Sequence, residues 1–183
     1  MSTTDAPELW RPSREQAQAS ELARYMRWLA AERGLHFDDY RALHAWSVQH
    51  LEDFWASLWA FFDIRASAPY SRVLDTHTMP GARWFEGAQL NYAEHAFRHA
   101  AGERAAMVSR SELRPDLAET SWAALQRDVA SIAAALRGMG VQRGDRVVSF
   151  MPNIPETITV MLAVASLGAV WSSCSPDMGA GAV

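Results

Sequence analysis

The chain has 183 residues, a formal net charge of −4 and one cysteine, and all 17 of its basic residues are arginine. Without lysine, these residues can supply no Schiff-base amine, no phosphate loop ending in Lys-Ser or Lys-Thr, and no adenylation or acyl-transfer step that relies on a resident ammonium. Arginine is no substitute, because it stays protonated and presents a planar fork in place of a compact, titratable charge.

At 49% hydrophobic and 21% charged residues, the composition is that of an ordinary globular chain. The arginines run from Arg11 to Arg146 with acids between them, so no basic stripe exists to track a nucleic-acid backbone. The opening MSTTDAPELWRPSREQ is polar and contains no apolar core of a leader peptide. The longest apolar stretch, Ile158 to Trp171, is broken by Thr159, Ser166 and Gly168. It falls short of the roughly 20 residues that cross a bilayer, so no membrane partner is expected. A lone Cys174 cannot form an internal disulfide, which fits a reducing compartment and makes a cytoplasmic location the expectation.

Six of the eight tryptophans precede residue 85 and eight of the ten glycines follow it, so the two halves differ in physical character and a boundary is expected near residues 100–102. In the first half Leu22, Tyr25, Met26 and Leu29 recur at helical spacing, with Gly34 as a stop. A second helix is predicted over Val48 to Phe62, with Ser47 as N-cap and Trp46 stapled against Leu51. Its apolar positions cover more than one face, so it needs partners on two sides. A turn at Pro80 and Gly81 leads to a third helix headed by Asn91, with Glu94 three residues on. The first hundred residues therefore read as helix and loop.

The second half begins with a short strand at Ala105 to Ser109 and a helix from Trp122 to Arg137. In that helix Trp122, Leu125, Val129, Ile132 and Leu136 step by three and four, and Gly138 stands at the C′ position. A buried strand follows from Arg146 to Met151, then a helix opened by Pro155 and closed by Gly168, then a strand from Ala169 to Cys174. Strand, helix, strand, helix, strand implies a parallel sheet with right-handed crossovers.

Gly138, Gly140 and Gly144 have the spacing of a dinucleotide loop in the wrong place. Such a loop must follow a strand and open a helix, whereas these glycines follow a helix and lead into a strand, so they read as a helix stop and a tight turn. His95 and His99 lie four apart on a predicted helix, but no further ligand is signalled and Arg98 adds repulsion. Cys174 reads as a structural thiol at a strand end. Open α/β sheets bind ligands beyond the carboxyl ends of their strands. By that rule Asn153, in the turn Met151 to Pro155, and the segment Ser172 to Asp177 are the candidate crevice positions.

Three segments, DFWASLWAFFDI, RWFEGAQLNYAEHAF and GVQRGDRVVSFMPNIPETITVMLAVASLGAVWSSCSPDMG, together resemble the AMP-forming acyl-CoA synthetases, in the expected order over essentially the whole chain. The string WSSCSPD points to the branch that activates acetoacetate rather than acetate. The resemblance implies an α/β fold: a helical N-terminal cap region over residues 1–100, then the first βαβαβ part of a parallel-sheet adenylation domain over residues 101–183. It also implies ATP, magnesium and CoA as the full-length family enzyme's cofactors, with a carboxylate substrate. Its phosphate loop, its magnesium- and ribose-binding residues and its catalytic lysine lie beyond these residues.

Accordingly no catalytic residue and no metal ligand is assigned here. The cofactor-binding positions carried over are Ser175, Pro176 and Asp177, as the wall of the pantetheine tunnel, although the acetyl-CoA relatives have small glycines there. The chain is expected to be an N-terminal portion that needs the remainder of its adenylation domain as partner and is not competent for catalysis alone. The ending Gly-Ala-Gly-Ala-Val, with no closing helix, favours that reading over the alternative, a standalone non-catalytic CoA-binding or synthetase-docking module.

Overall fold

The computed structural model of the chain describes residues 9–98, 100, 102, 104–179 and 181. It divides into two compact units, one of Met1–Ile64 with Pro69–Ala88, the other of Arg65–Ala68 with Gln89–Val183.

The first unit opens with four helices, α1 (Arg14–Ala19), α2 (Glu21–Arg33), α3 (Tyr40–Gln49) and α4 (Leu51–Phe61). Each of the first three is headed by a side chain that accepts from an otherwise unsatisfied backbone N–H: Ser13 from Gln16, Ser20 from Ala23 and Asp39 from Ala42. Gly34 ends α2 at φ 66°, as its position in the sequence predicts. The single helix expected over Val48 to Phe62 is different. Ser47 lies inside α3, where its hydroxyl donates to the His44 carbonyl, and α4 starts from His50. Trp46, the expected staple, lies inside α3 and packs its ring against Phe37 and Phe54. The expected helix is realised as α4, starting three residues later than predicted, and the Asp39 cap starts a further helix, α3, that ends at the break at His50.

The core of this unit is Tyr25, Leu29 and Leu43, wrapped by Trp28, Phe37, Trp46, Phe54, Leu58 and Phe61. Within it the Tyr25 hydroxyl hydrogen-bonds Ser57, whose own hydroxyl donates to the Phe54 carbonyl. Burial pushes the Tyr25 phenol above its ordinary range, against the smaller opposite pull of Ser57 and Arg33. A phenol held neutral in the fold stabilises it fully below the unfolded pKa, about 10. That contribution is lost as pH rises through the higher folded value, because only the unfolded chain gains by ionising. Chemical denaturation followed across pH 8 to 11 should show stability falling above about pH 10, with a flatter profile in Tyr25→Phe; identical profiles would refute this.

Where only loop was expected, β1 (Arg72–Leu74) and β2 (Trp84–Glu86) form an antiparallel hairpin across the Pro80–Gly81 turn. Each strand has three residues, too few for a period-two pattern to show in the sequence. Ion pairs tie it together, Arg72 to Glu86 at 2.7 Å and Arg83 to Asp75 at 2.8 Å. Its aromatic side meets α4 through Trp59, whose ring lies 4.6 Å from Phe85 and 5.1 Å from Tyr70.

The second unit contains α5 (Tyr92–Phe97), β3 (Met107–Ser109), β4 (Ala118–Thr120), α6 (Trp122–Gly138), β5 (Arg146–Phe150), α7 (Pro155–Ser166) and β6 (Val170–Cys174). Strands β5 and β6 pair in parallel across α7, with Phe150 opposite Cys174, which is the expected βαβ unit. The first of the three expected strands pairs elsewhere: β3 forms an antiparallel hairpin with β4, separate from the parallel pair. The sequence hid β4 because its residues, Ala118, Glu119 and Thr120, carry no apolar alternation.

The apolar stripe of α6 is realised, with Leu125, Val129 and Ala133 buried against Ala93 of α5 and Leu162 and Ala163 of α7. Gly138 falls within α6, and the left-handed turn after it is taken by Gly140 at φ 91°. Because α7 passes through the middle of this cluster, it is apolar nearly all round, and Ala163 and Val164 are fully buried. One face of the β5–β6 pair is open, with Val148 64% and Phe150 54% exposed. No helix among the described residues is long and apolar enough to cross a membrane.

Candidate functional site

The parallel register fixes where a crevice can lie. Phe150 and Cys174 are the last partners of β5 and β6, so the turns that follow both strands leave the same edge, the carboxyl edge that binds ligands in open α/β sheets. The two turns are linked at their start, where the Met151 N–H donates to the Cys174 carbonyl at 3.2 Å.

After β5, Pro152 stops the ladder and Thr157 folds back so that its hydroxyl donates to the Pro152 carbonyl at 2.7 Å. Ile154 precedes α7 without a side-chain cap, and Pro155 fills the first turn, where a missing N–H costs nothing. Asn153 lines a cleft of about 260 Å³ between this turn and the β3–β4 connection, with Arg110, Arg114 and Glu156 among the other lining residues.

After β6, the chain closes a turn from within. The Ser175 hydroxyl donates to the Asp177 carboxylate at 3.0 Å, the Asp177 N–H donates back to the Ser175 hydroxyl at 3.3 Å, and the Met178 N–H donates to the Ser175 carbonyl at 3.0 Å. Pro176 stands inside this turn, where its fixed φ suits a bend and its absent N–H breaks no bond. The arrangement offers an accepting carboxylate and a hydroxyl beside an exposed backbone. It can hydrogen-bond a neutral amide or hydroxyl ligand, and it repels a phosphate.

The other sequence candidates have structural occupations. The Nε2 atom of His95 accepts from the Arg65 N–H at 2.9 Å, so that ring fixes a backbone segment; His99 lies outside the described residues. Among the described residues no three His, Cys, Asp or Glu side chains gather as a metal site. Gly140 and Gly144 carry the positive φ angles of a tight turn before β5, as their place after a helix implied. Not foreseen from sequence is a groove of about 400 Å³ in the first unit, lined by Leu22, Tyr25, Leu43, Phe54, Leu58 and Phe61. Its walls come from α2, α3 and α4, and no helix is expected at α3 from sequence.

The pattern described as acetyl-coenzyme A synthetase N-terminus matches residues 40–96, and that described as AMP-binding enzyme matches residues 93–183. Acetoacetyl-coenzyme A synthetase of Rhizobium meliloti (strain 1021) is 40% identical over 171 residues, covering 93% of this chain and 26% of that protein. Acetoacetyl-CoA synthetase of Rattus norvegicus is 39% identical over 177 residues, covering 96% and 26%. The solved structure of acetoacetyl-CoA synthetase from Streptomyces lividans superposes with a TM-score of 0.88 at 47% identity, covering 96% of this chain and 28% of that one. The chain thus spans about a quarter of the length of these relatives. With both patterns running in sequence from residue 40 to residue 183 and the same fold found at this identity, the chain belongs to the AMP-binding enzymes, among the adenylate-forming acyl-CoA synthetases.

Proposed function

We propose that this chain is an N-terminal portion of an acetoacetate–CoA ligase, with residues 1–100 as its cap region and residues 101–183 opening its adenylation domain. The whole enzyme joins acetoacetate to ATP as an acyl-adenylate with loss of diphosphate, and the CoA thiol then displaces AMP. The single observation that carries the assignment is the likeness to acetoacetyl-CoA synthetases over nearly all of the chain. A cytoplasmic location fits the same reading.

The residues present fit one part of this chemistry. CoA reaches its partner through a neutral arm of amides and a hydroxyl, and the Ser175–Pro176–Asp177 turn supplies an acceptor and a hydroxyl suited to that arm. These three residues are proposed as its wall. When bound, CoA supplies the thiol that receives the acyl group. ATP and magnesium are left to the remainder of the adenylation domain.

Catalysis by these residues alone is not expected. Adenylation moves negative charge onto the departing diphosphate, and stabilising it takes fixed cations and backbone donors aimed at that position. The chain has no lysine, and the bonds that close the two turns at the carboxyl edge use only hydroxyl, carboxylate and backbone groups. Purified chain incubated with acetoacetate, ATP, magnesium and CoA should release no diphosphate above the protein-free rate. Turnover on the order of 1 per second, as for an ordinary enzyme, would overturn the proposal.

A further inference from the structure

We infer that Asn91 is a positioning residue for the Ser175–Asp177 turn, an inference that rests on the CoA reading above. Asn91 does two things at once. Its Oδ1 accepts from the Ala93 and Glu94 N–H groups at 3.0 and 3.2 Å and so caps α5. Its Nδ2 donates to the carbonyls of Ala165 and Ser166 at 3.1 and 3.3 Å, in the last turn of α7. The side chain therefore joins the start of one helix to the end of another 74 residues away. It lies in the part matched by the first family pattern alone, whereas its α7 partners lie in the part matched by the second.

The far end of this link has little slack. The Leu167, Gly168 and Ala169 N–H groups all donate back into the final turn of α7, at 3.1, 3.0 and 3.2 Å. The Gly168 carbonyl then accepts from Gly144, and the Val170 N–H donates to Asp145 at 2.7 Å, where β6 begins. From there every residue of β6 is in register with β5, and the strand delivers Ser175 at its end. Apolar contact between Ala93 and α7 is non-directional and would tolerate sliding. The two Asn91 bonds to carbonyls are directional, and they set where along α5 the end of α7 sits. A sliding α7 would carry β6 and its turn with it.

The test separates the cap from the link. Asn91→Asp keeps an acceptor for the α5 N–H groups and has no donor for α7, and Asn91→Ser keeps a capping hydroxyl but loses the amide NH2 group that spans to the α7 carbonyls. Ser121→Ala removes the α6 cap bond to the Ala124 N–H, in the same unit, and leaves the Asn91 bonds to α7 in place. CoA is titrated into the 183-residue chain and each variant, well below all melting temperatures, while the backbone amides of residues 175, 177 and 178 are followed by NMR.

The expected result is an apo-state shift of those amides and CoA binding weakened about fivefold, the scale of one neutral hydrogen bond, in both Asn91 variants, with neither change in Ser121→Ala. Wild-type binding with unchanged affinity in the Asn91 variants would overturn the inference and leave the CoA reading standing. Equal weakening in Ser121→Ala would also overturn it, since any destabilisation would then serve. No CoA binding by wild type would overturn the CoA reading and with it the link to CoA, whatever the apo amides show.

Discussion

Leu29→Ala should lower the unfolding free energy of the first unit by about 3 kcal/mol, the middle of the range for a buried leucine truncated to alanine. Leu29 is fully buried at the centre of the α2–α4 cluster, in company with Tyr25 and Leu43. The cost has two parts, the lost transfer of three carbons' worth of apolar surface and the cavity left behind. The cavity should persist, because its surroundings are rings: Tyr25 stacks on Trp28, and Phe61 meets both Tyr25 at 5.0 Å and Trp28 at 5.6 Å. Flat, mutually braced rings collapse poorly into the gap left by an isopropyl group. Urea unfolding read by tryptophan fluorescence measures the effect, and a loss below about 1 kcal/mol, well under the usual range, would show that the cluster is looser than its burial indicates.

Gly168→Val should cost the second unit a similar amount, about 3 kcal/mol, by a different route: a β-branched residue forced into the left-handed region. Gly168 sits at φ 70°, and a Cβ placed there would approach the Arg143 Cγ to 3.2 Å. The arginine side chain can give way, so the strain is mainly in the backbone. That backbone cannot relax freely, because the Gly168 N–H is bonded to Ala165 and its carbonyl to Gly144. Gly168→Ala should fall between wild type and Gly168→Val in a thermal melt. A valine variant that melts with wild type would mean that the α7–β6 link has room to change conformation, which would also weaken the case for Asn91.

How much of this was legible in the sequence depended on whether the signal was local. The α2 stripe ending at Gly34, the unbroken α6 pattern, the Asn91 cap and the strand–helix–strand run of β5, α7 and β6 each lie within one stretch of chain. The misplaced features were those where neighbours overrode local pattern. Ser47 reads as a cap for a helix starting at Val48, yet Trp46, Ser47 and Val48 belong to α3, which the break at His50 separates from α4. Strands β1, β2 and β4 are three residues each and owe their pairing to partners 9 to 14 positions away in register.

The candidate site followed the same division. That Ser175, Pro176 and Asp177 leave a strand was readable, and so was the family to which their surroundings belong. That Ser175 and Asp177 bond each other, and that their turn shares an edge with the turn of Asn153, needed the parallel register of β5 and β6.

By itself, then, the sequence determined that α2 and α6 carry a single apolar face, that Gly34 stops α2, and that no lysine chemistry resides in these residues. Those are properties of spacing and side-chain type, and no fold can alter them. Only the tertiary structure decided that α3 precedes α4 and takes in Ser47, that β3 turns away to β4, and that one asparagine ties α5 to α7. Each of these is set by contacts between distant residues, whose free energies outweigh the local preferences of the segments they join.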